Sequence, residues 1–574
     1  LYTTETLLEI NHLFSKKFDC TESVLNENSI AFYKWYCSCK AWANLIIFFW
    51  NMSSDDAQRN QLEDSTKIHI QNLPRHMAIN DMKKILKRHG FRAKKIALMK
   101  EHAYVTFSDP EQANQAAEKL DQMTFKQCVL RVRKTAADDE SQSTKKKPTK
   151  SEERTELVNI VDVVTPWHAI PYEEQLKNKQ NACYEWAKKC SIKIYKECGL
   201  PFQGKLHYGE LENIRASPVQ NCYRNKCEFT IGYNGTAPEV GFRLSRHRDG
   251  CTVQPVDGCV HIPTNMKLLV RDFKDLILNC SPRPPYNAET RTGFWRLLTI
   301  KSFQMDLMLT VTVNPVDVDE AEINSIKGEI VKRFLYQDMD NYRVSSVYFQ
   351  RLINAGDKVE YELLGGCPHV YETVDNMHFR ISPYSFFQVN TAGCEVLYKT
   401  LFELCASVQV DHSLLLDICC GTGTIGIYLA RLFEKVIGIE SVEPAVKDAC
   451  HNMIVNEQFN CDFQAGKVEE LLPKLLKESN VEKWKTCVAV LDPPRGGVSG
   501  RVIAALRCHE PIHHLFYVSC DVQAAEKNFV DLCKRASKRY PGPPFRLLRM
   551  IPVDMFPHTK LFELVLHFQR SRPD

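Results

Sequence analysis

Apolar and polar positions alternate along the chain with two different periods, and the changes of period divide it. Around Ile68 and Ile70 the period is two, as in a half-buried strand, and Met82, Ile85 and Leu86 then fall on one face of a helix. Asp109-Pro110-Glu111 combines an N-cap acid with proline at the first helical position, and Ala113, Ala116, Ala117 and Leu120 recur at helical spacing behind it. Residues 67–135 are thus predicted to run strand, helix, strand, strand, helix, strand. Residues 157–380 are mixed, with a helix over about 174–197 and then short alternating strands such as Cys227–Ile231. From 381 to 574 short apolar runs dominate: Leu414–Ile418, Lys435–Ile439, Val488–Leu491 and Leu515–Val518. The first is followed by a glycine turn and a helical stretch, Ile425–Phe433, which is how a Rossmann-like sheet opens. The fold class predicted is multidomain, α/β and α+β: a βαββαβ unit, a mixed central domain and a C-terminal Rossmann-like domain.

Two stretches lack periodicity. In residues 1–66 the apolar run Trp42–Trp50 is too short to span a bilayer, and the polar stretch after Met52 resembles a disordered terminus. This segment is expected to add nothing to the fold. Residues 136–156 are polar and carry Lys145-Lys146-Lys147, as expected of a linker. The lysine run is solvated, a nuclear import signal or a phosphate contact.

Composition changes this picture only at the margins. The chain is 44% hydrophobic and 25% charged, as ordinary globular proteins are, so no membrane partner is expected. Its 23 cysteines show no zinc-finger or cluster spacing. Reduced thiols, no metal, a monomer, and a place in the cytoplasm, the nucleus or both are the expectations. Net charge is only +4, so a nucleic-acid surface requires local clusters. Candidates are Arg131 and Arg133 beside Lys134, and Arg224 and Lys226 at the start of a strand.

Residues 67–135 resemble an RNA recognition motif. Ile68–Leu73 stands where that family has its short first-strand motif, and Lys100–Phe107 where it has its octapeptide. The family stacks bases on aromatic rings of the central strands. Tyr104 keeps such a ring, whereas His69 and His102 hold two other stacking places. Tyr104 is therefore the stacking candidate, and the unit is expected to assist RNA binding without choosing the base.

The chemistry lies in the last third. After Asp417 comes Cys419-Cys420-Gly421-Thr422-Gly423-Thr424, and the second strand closes on Glu440, an acid placed to accept hydrogen bonds from the ribose hydroxyls of an adenosine. Gly426 falls one step late for the dinucleotide fingerprint and no Gly-Lys-Ser/Thr follows, so S-adenosyl-L-methionine is the expected cofactor rather than a pyrophosphate. The fourth strand ends in Asp492-Pro493-Pro494-Arg495, with neither the aromatic residue of base-amine methyltransferases nor the cysteine of RNA cytosine-C5 enzymes after the prolines. A further strand delivers Cys520 at its carboxyl end, as a nucleophile or a core thiol.

Residues 157–570 resemble the RNA (uracil-5-)-methyltransferase family. The strings are Ser385–Asn390, Asp417–Gly426, Asp492–Arg495, Val518–Asp521, and Phe556–Thr559 followed by Glu563. The resemblance implies Cys520 as nucleophile and Glu563 as general base. It implies Gln388, Cys419, Thr424, Glu440 and Asp492 as cofactor contacts, to which the turn adds Gly421 and Gly423. It implies tRNA as the partner and a T-loop uridine as the target. A ribosomal-RNA uridine enzyme of the same family and a catalytically silent RNA-binding scaffold remain alternatives. Leu561 stands where the family usually has histidine, and Asp521 where asparagine is frequent. Because the thiolate is the nucleophile, the site is expected to favour it, with Arg495 a neighbour suited to that and to RNA.

Overall fold

The computed structural model describes residues 66–134 and 159–570, except 75–78, 99–101, 126–127, 200–207, 245–251, 281–282, 289, 305, 338–340, 355, 358–359, 409–411 and 479–483. The expected terminal segment up to residue 65 and the whole of the expected linker lie outside the described residues. The chain divides into two compact units, before and after Arg154.

In the first unit β1 (Lys67–Gln71), α1 (Ile79–Arg88), β2 (Lys95–Leu98), β3 (His102–Thr106), α2 (Pro110–Leu120) and β4 (Arg131–Lys134) form a sheet of order β2-β3-β1-β4. Ile68, Ile70, Ala103 and Val105 point inward onto Met82, Ile85, Leu86, Ala113 and Ala116. The Asp109 carboxylate accepts from the amides of Glu111 and Gln112, so the capping signal operates as predicted.

In the second unit a short helix, Ile160–Val164, precedes the long helix α3 (Tyr172–Cys198). Strands β5 (Lys226–Asn234), β6 (Ala237–Arg243), β7 (Val253–Gln254), β8 (Trp295–Phe303), β9 (Asp306–Val313), β10 (Arg343–Arg351) and β11 (Glu362–Gly366) form the central sheet, in the order β7-β6-β5-β8-β9-β10-β11. Helices α4 (Thr264–Cys280) and α5 (Glu320–Val331) share its core through Phe273 and Ile326, which meet Trp295 and Phe349. A hairpin, β12 (Val370–Val374) and β13 (Met377–Ile381), turns on Asp375 and Asn376, both at positive φ. It leads through loop 382–390 into α6 (Thr391–Ala406).

The catalytic sheet follows: β14 (Ser413–Ile418), α7 (Thr424–Leu429), β15 (Lys435–Glu440), α8 (Glu443–Val455), β16 (Cys461–Ala465), α9 (Val468–Glu478), β17 (Thr486–Leu491), α10 (Gly500–Cys508), β18 (Ile512–Ser519), α11 (Val522–Cys533), β19 (Phe545–Val553) and β20 (Glu563–Arg570). The order is β16-β15-β14-β17-β18-β20-β19, with Glu210–Leu211 at the edge. Neighbours are parallel as far as β18, and β20 runs antiparallel to both β18 and β19. Helix α7 is shorter than its apolar pattern predicts, giving way to a 3-10 turn at Ala430–Leu432. Helix α3 packs on this sheet, Trp186 lying edge-on to Phe529. The strand order reverses between β14 and β17, which opens a crevice at their carboxyl ends. Among the described residues, no helix is long and apolar enough to cross a membrane, and no cluster of metal-ligating side chains occurs.

Candidate active site

The turn after β14 lies in that crevice. Cys419 and Gly421 are both left-handed (φ 65° and 56°), and a Cβ on Gly421 would meet nothing within 4 Å, so this side of the turn is open. Gly423 is also left-handed, but a Cβ there would meet the Phe463 ring at 2.8 Å; its small size serves the core. The Glu440 carboxylate accepts from the Gly421 amide (3.1 Å) and the Val442 amide (2.9 Å), which fixes its direction at the end of β15. Beneath the turn Asp417 is fully buried. One of its oxygens accepts from the Gly426 amide at 2.8 Å, the other has no partner among the described residues, and burial pushes its carboxyl up to about 7. Thr424 directs its hydroxyl to Tyr398 at 2.6 Å. An open glycine turn beside an oriented carboxylate fits an adenosyl cofactor.

Cys520 and Glu563 face each other across the end of this sheet. The last paired residues of the antiparallel ladder between β18 and β20 are Ser519 and Leu564, so Cys520 and Glu563 are the next opposed positions and project to the same face. Asp521 then caps α11, accepting from the amides of Gln523 and Ala524, a task an asparagine also performs. Glu563 is 4% exposed, and its Oε2 has no hydrogen-bond partner among the described residues. Burial holds the Glu563 carboxyl well above the usual range, and nearby Asp492 adds to this. Asp492 accepts from Gln388 Nε2 at 3.3 Å and is itself pushed up to about 7 by burial.

The expectation that the site favours the thiolate is corrected for the ligand-free protein. Burial pushes the half-buried Cys520 thiol up to about 11, and Glu563 and Asp492 push the same way. Arg495, which is exposed, opposes them at both Cys520 and Glu563. Leu561, before Glu563, is also largely exposed.

The loop carrying Gln388 is held from two sides by residues with no local sequence signal. Lys301, 4% exposed on β8, donates to the carbonyls of Ser382 (2.8 Å), Pro383 (3.0 Å) and Ser385 (3.0 Å). On α8, Asp448 accepts from the Ser382 amide, the Ser385 hydroxyl and Arg380 Nε. Asn225 completes the seam, its side chain donating to the Gln388 carbonyl at 2.9 Å and to Thr391 Oγ1 at 3.0 Å. The Tyr223–Lys226 string is therefore no solvated strand end: it joins the central sheet to the loop that carries Gln388. Arg224 is half-buried, and Lys226 pairs with Glu228 at 3.1 Å.

The segment before Glu563 is gripped by α3. The Lys179 ammonium donates to Asp554 Oδ1 (2.5 Å) and to the Phe556 carbonyl (2.9 Å), with both side chains of the ion pair fully buried. Tyr172 donates to the other Asp554 oxygen, and Gln175 accepts from the amide of His558, a residue at φ 67°. The Phe556–Thr559 string thus forms the clamp that delivers Glu563.

In the first unit the Tyr104 candidate is corrected. Tyr104 and His69 are each 3% exposed, and their rings stack on one another, 4.4 Å apart and 11° from parallel, with the Lys67 ammonium 5.0 Å from the Tyr104 centroid. The ring faces a base would use are occupied. Arg131 and Arg133 stand opposite Gln71 and His69 on that same face, and both are exposed.

A crevice of this kind, with a cysteine and a carboxylate converging on it from adjacent strands, defines a cofactor-dependent methyltransferase of the open α/β class. A sequence model of tRNA (uracil-5-)-methyltransferases matches residues 369–570, and one of an ACIN1-like RNA-recognition domain matches residues 65–131. The tRNA (uracil-5-)-methyltransferase homolog A of Mus musculus is 36% identical over 88% of this chain and 84% of its own length. The homolog B of Homo sapiens is 37% identical over 72% of this chain and 84% of its own. A solved structure, the tRNA (uracil-54, C5)-methyltransferase of Pyrococcus abyssi with S-adenosyl-L-homocysteine, aligns at a TM-score of 0.48 and 22% identity, covering 71% of this chain and 86% of that one. The chain belongs to the tRNA (uracil-5-)-methyltransferase family, S-adenosylmethionine-dependent enzymes that methylate RNA uracil at C5.

Proposed function

We propose that the chain methylates C5 of a T-loop uridine in tRNA through a covalent bond between Cys520 Sγ and C6 of the base. The placement of Cys520 opposite Glu563 at the crevice carries this proposal. C5 of uracil is too weak a nucleophile to attack a methyl sulfonium unaided. Once Cys520 has lost its proton, the thiolate adds to C6, and the electrons of the C5–C6 double bond move toward O4 as an enolate. C5 of that enolate takes the methyl group. Glu563, as carboxylate, then removes the C5 proton, and the electrons of the C5–H bond expel Cys520 as thiolate. Base and nucleophile must both be ionised, although Glu563 is buried and Cys520 half-buried; Arg495 favours the charged form of each.

Gln388, Cys419, Gly421, Glu440 and Asp492 would hold the cofactor, with Gly423 and Thr424 shaping the turn beneath it. When bound, S-adenosylmethionine supplies an electrophilic methyl group on a positively charged sulfur. The target must leave its stack, which costs a few kcal/mol in a structured loop. The names of the relatives support tRNA as substrate, and the family resemblance supports the T-loop. Incubation with labelled cofactor and a mixture of a tRNA transcript and ribosomal RNA, followed by mapping of the labelled base, tests this. Label at the T-loop uridine, lost when it is replaced by cytidine, is expected; label confined to ribosomal RNA would overturn the proposal.

A further inference from the structure

The first unit is far more basic than the chain around it. Residues 67–134 hold fifteen Lys and Arg against six Asp and Glu, whereas the entire chain carries a net charge of only +4. The excess has a place. Lys83, Lys84, Lys87 and Arg88 fall on the side of α1 opposite Met82, Ile85 and Leu86, and Arg92 and Lys94 continue the run toward β2. All six are exposed, and none takes part in an ion pair among the described residues. Lys87 and Arg88 also suit the negative end of the α1 dipole, but that does not explain Lys83, Lys84, Arg92 or Lys94. Four of the six acidic residues lie on and beside α2, as Asp109, Glu111, Glu118 and Asp121, and α1 carries one, Asp81 in its first turn.

The sheet offers the opposite surface. A recognition-motif sheet reads RNA by stacking bases on rings. Here Tyr104 and His69 stack on each other and are almost wholly buried. Of the three stacking places only His102 is part-exposed, so among the described residues the unit presents charge more than open rings, as phosphate contact with little base reading requires.

We propose that the outer face of α1, together with the segment leading into β2, is an RNA-backbone surface that holds the substrate by its phosphates. This rests on RNA being the substrate and adds where, and by what chemistry, the first unit holds it. Affinity from such a surface is sequence-independent and steeply salt-dependent, whereas the choice of uridine stays with the crevice.

The test uses the full chain carrying Lys83→Gln, Lys84→Gln, Lys87→Gln and Arg88→Gln, since glutamine keeps helix propensity while removing charge. The tRNA dissociation constant is measured across a potassium chloride series, with Arg131→Gln/Arg133→Gln as the sheet-face comparison and the Lys83→Gln/Lys84→Gln pair as a milder variant. The quadruple variant should bind roughly tenfold or more weakly at physiological salt. Its log–log salt slope should fall by about three, each lost phosphate contact being worth about 0.7–0.9. The milder pair should show about half that change, and the sheet-face pair a smaller loss in affinity. Methylation rate at saturating tRNA and cofactor affinity should be unchanged. An unchanged slope in folded quadruple and double variants would overturn the proposal and mark the face as solvated or protein-binding. Loss of binding confined to the sheet-face pair would assign RNA to the sheet instead. If the variants change tRNA binding and its salt slope as predicted yet the unaltered chain never methylates tRNA, the proposed substrate fails and the surface stands.

Discussion

Cys520 and Glu563 are opposed residues one step beyond the last paired positions, Ser519 and Leu564, of an antiparallel ladder. The sheet achieves this by letting β20 run back between β18 and β19, so that a strand's end and a strand's beginning meet at one edge. Their separation is set by the ladder and not by a flexible loop, which places the proposed nucleophile and base on a rigid element. The same closeness means that Glu563 raises the cost of charging Cys520, and Asp492 adds to the cost at both.

Glu563→Gln should permit thiol addition and methyl transfer but block removal of the C5 proton. Methylated RNA should then remain bound to the protein through denaturation, at a yield near one per active site. Ordinary multiple turnover by this variant would exclude Glu563 as the base.

The thiol of Cys520 should ionise only at unusually high pH in the ligand-free protein. Thiolate is the species that reacts with iodoacetamide, so a thiol pushed up to about 11 should gain reactivity close to tenfold per pH unit from 7 to 10. An ordinary cysteine, near 8.5, would level off by about pH 9.5. Arg495→Gln should move the rise to still higher pH, because the guanidinium favours the thiolate. Peptide-resolved mass spectrometry separates Cys520 from the exposed Cys222, Cys367 and Cys508. A plateau at or below pH 9 would show that the ligand-free site already favours the charged form.

Glu440→Ala should weaken S-adenosylmethionine binding by roughly 30- to 1000-fold, the loss of two hydrogen bonds to a charged acceptor at about 2–4 kcal/mol in total. The carboxylate also ties down the Gly421 amide, so its removal loosens the turn as well. Calorimetry showing unchanged affinity would exclude the contact.

Much of the catalytic sheet is legible because its signals are local. Asp417, Glu440, Asp492 and Cys520 each sit at the end of an apolar run, and a strand's end is what the pattern marks. The supports are not legible, because their partners lie far away in the chain: Lys179 and Asp554 are 375 residues apart, and Asn225 and Gln388 are 163. Nothing near Lys301 indicates that a strand lysine will be buried under three carbonyls. Tyr104 shows the reverse failure, for its place in the motif suggests an open ring and only the packing reveals the His69 stack.

Lys179→Met should destabilise the second unit by about 3–5 kcal/mol, since it leaves the Asp554 carboxylate buried without its cation. Lys179→Met/Asp554→Leu should recover part of that loss. Denaturant unfolding measures both. Equal stability of the single variant and the unaltered chain would mean that the clamp on the segment before Glu563 contributes nothing.

Trapping with 5-fluorouridine tRNA tests covalent catalysis most directly. Fluorine at C5 cannot be removed as a proton, so the reaction should halt with the methylated base bonded to the enzyme. The unaltered chain, given S-adenosylmethionine, should form a denaturation-resistant complex whose cross-linked peptide contains Cys520, and Cys520→Ala should form none. A complex of equal yield in Cys520→Ala, or one mapped to another residue, would contradict the assignment of Cys520 as nucleophile.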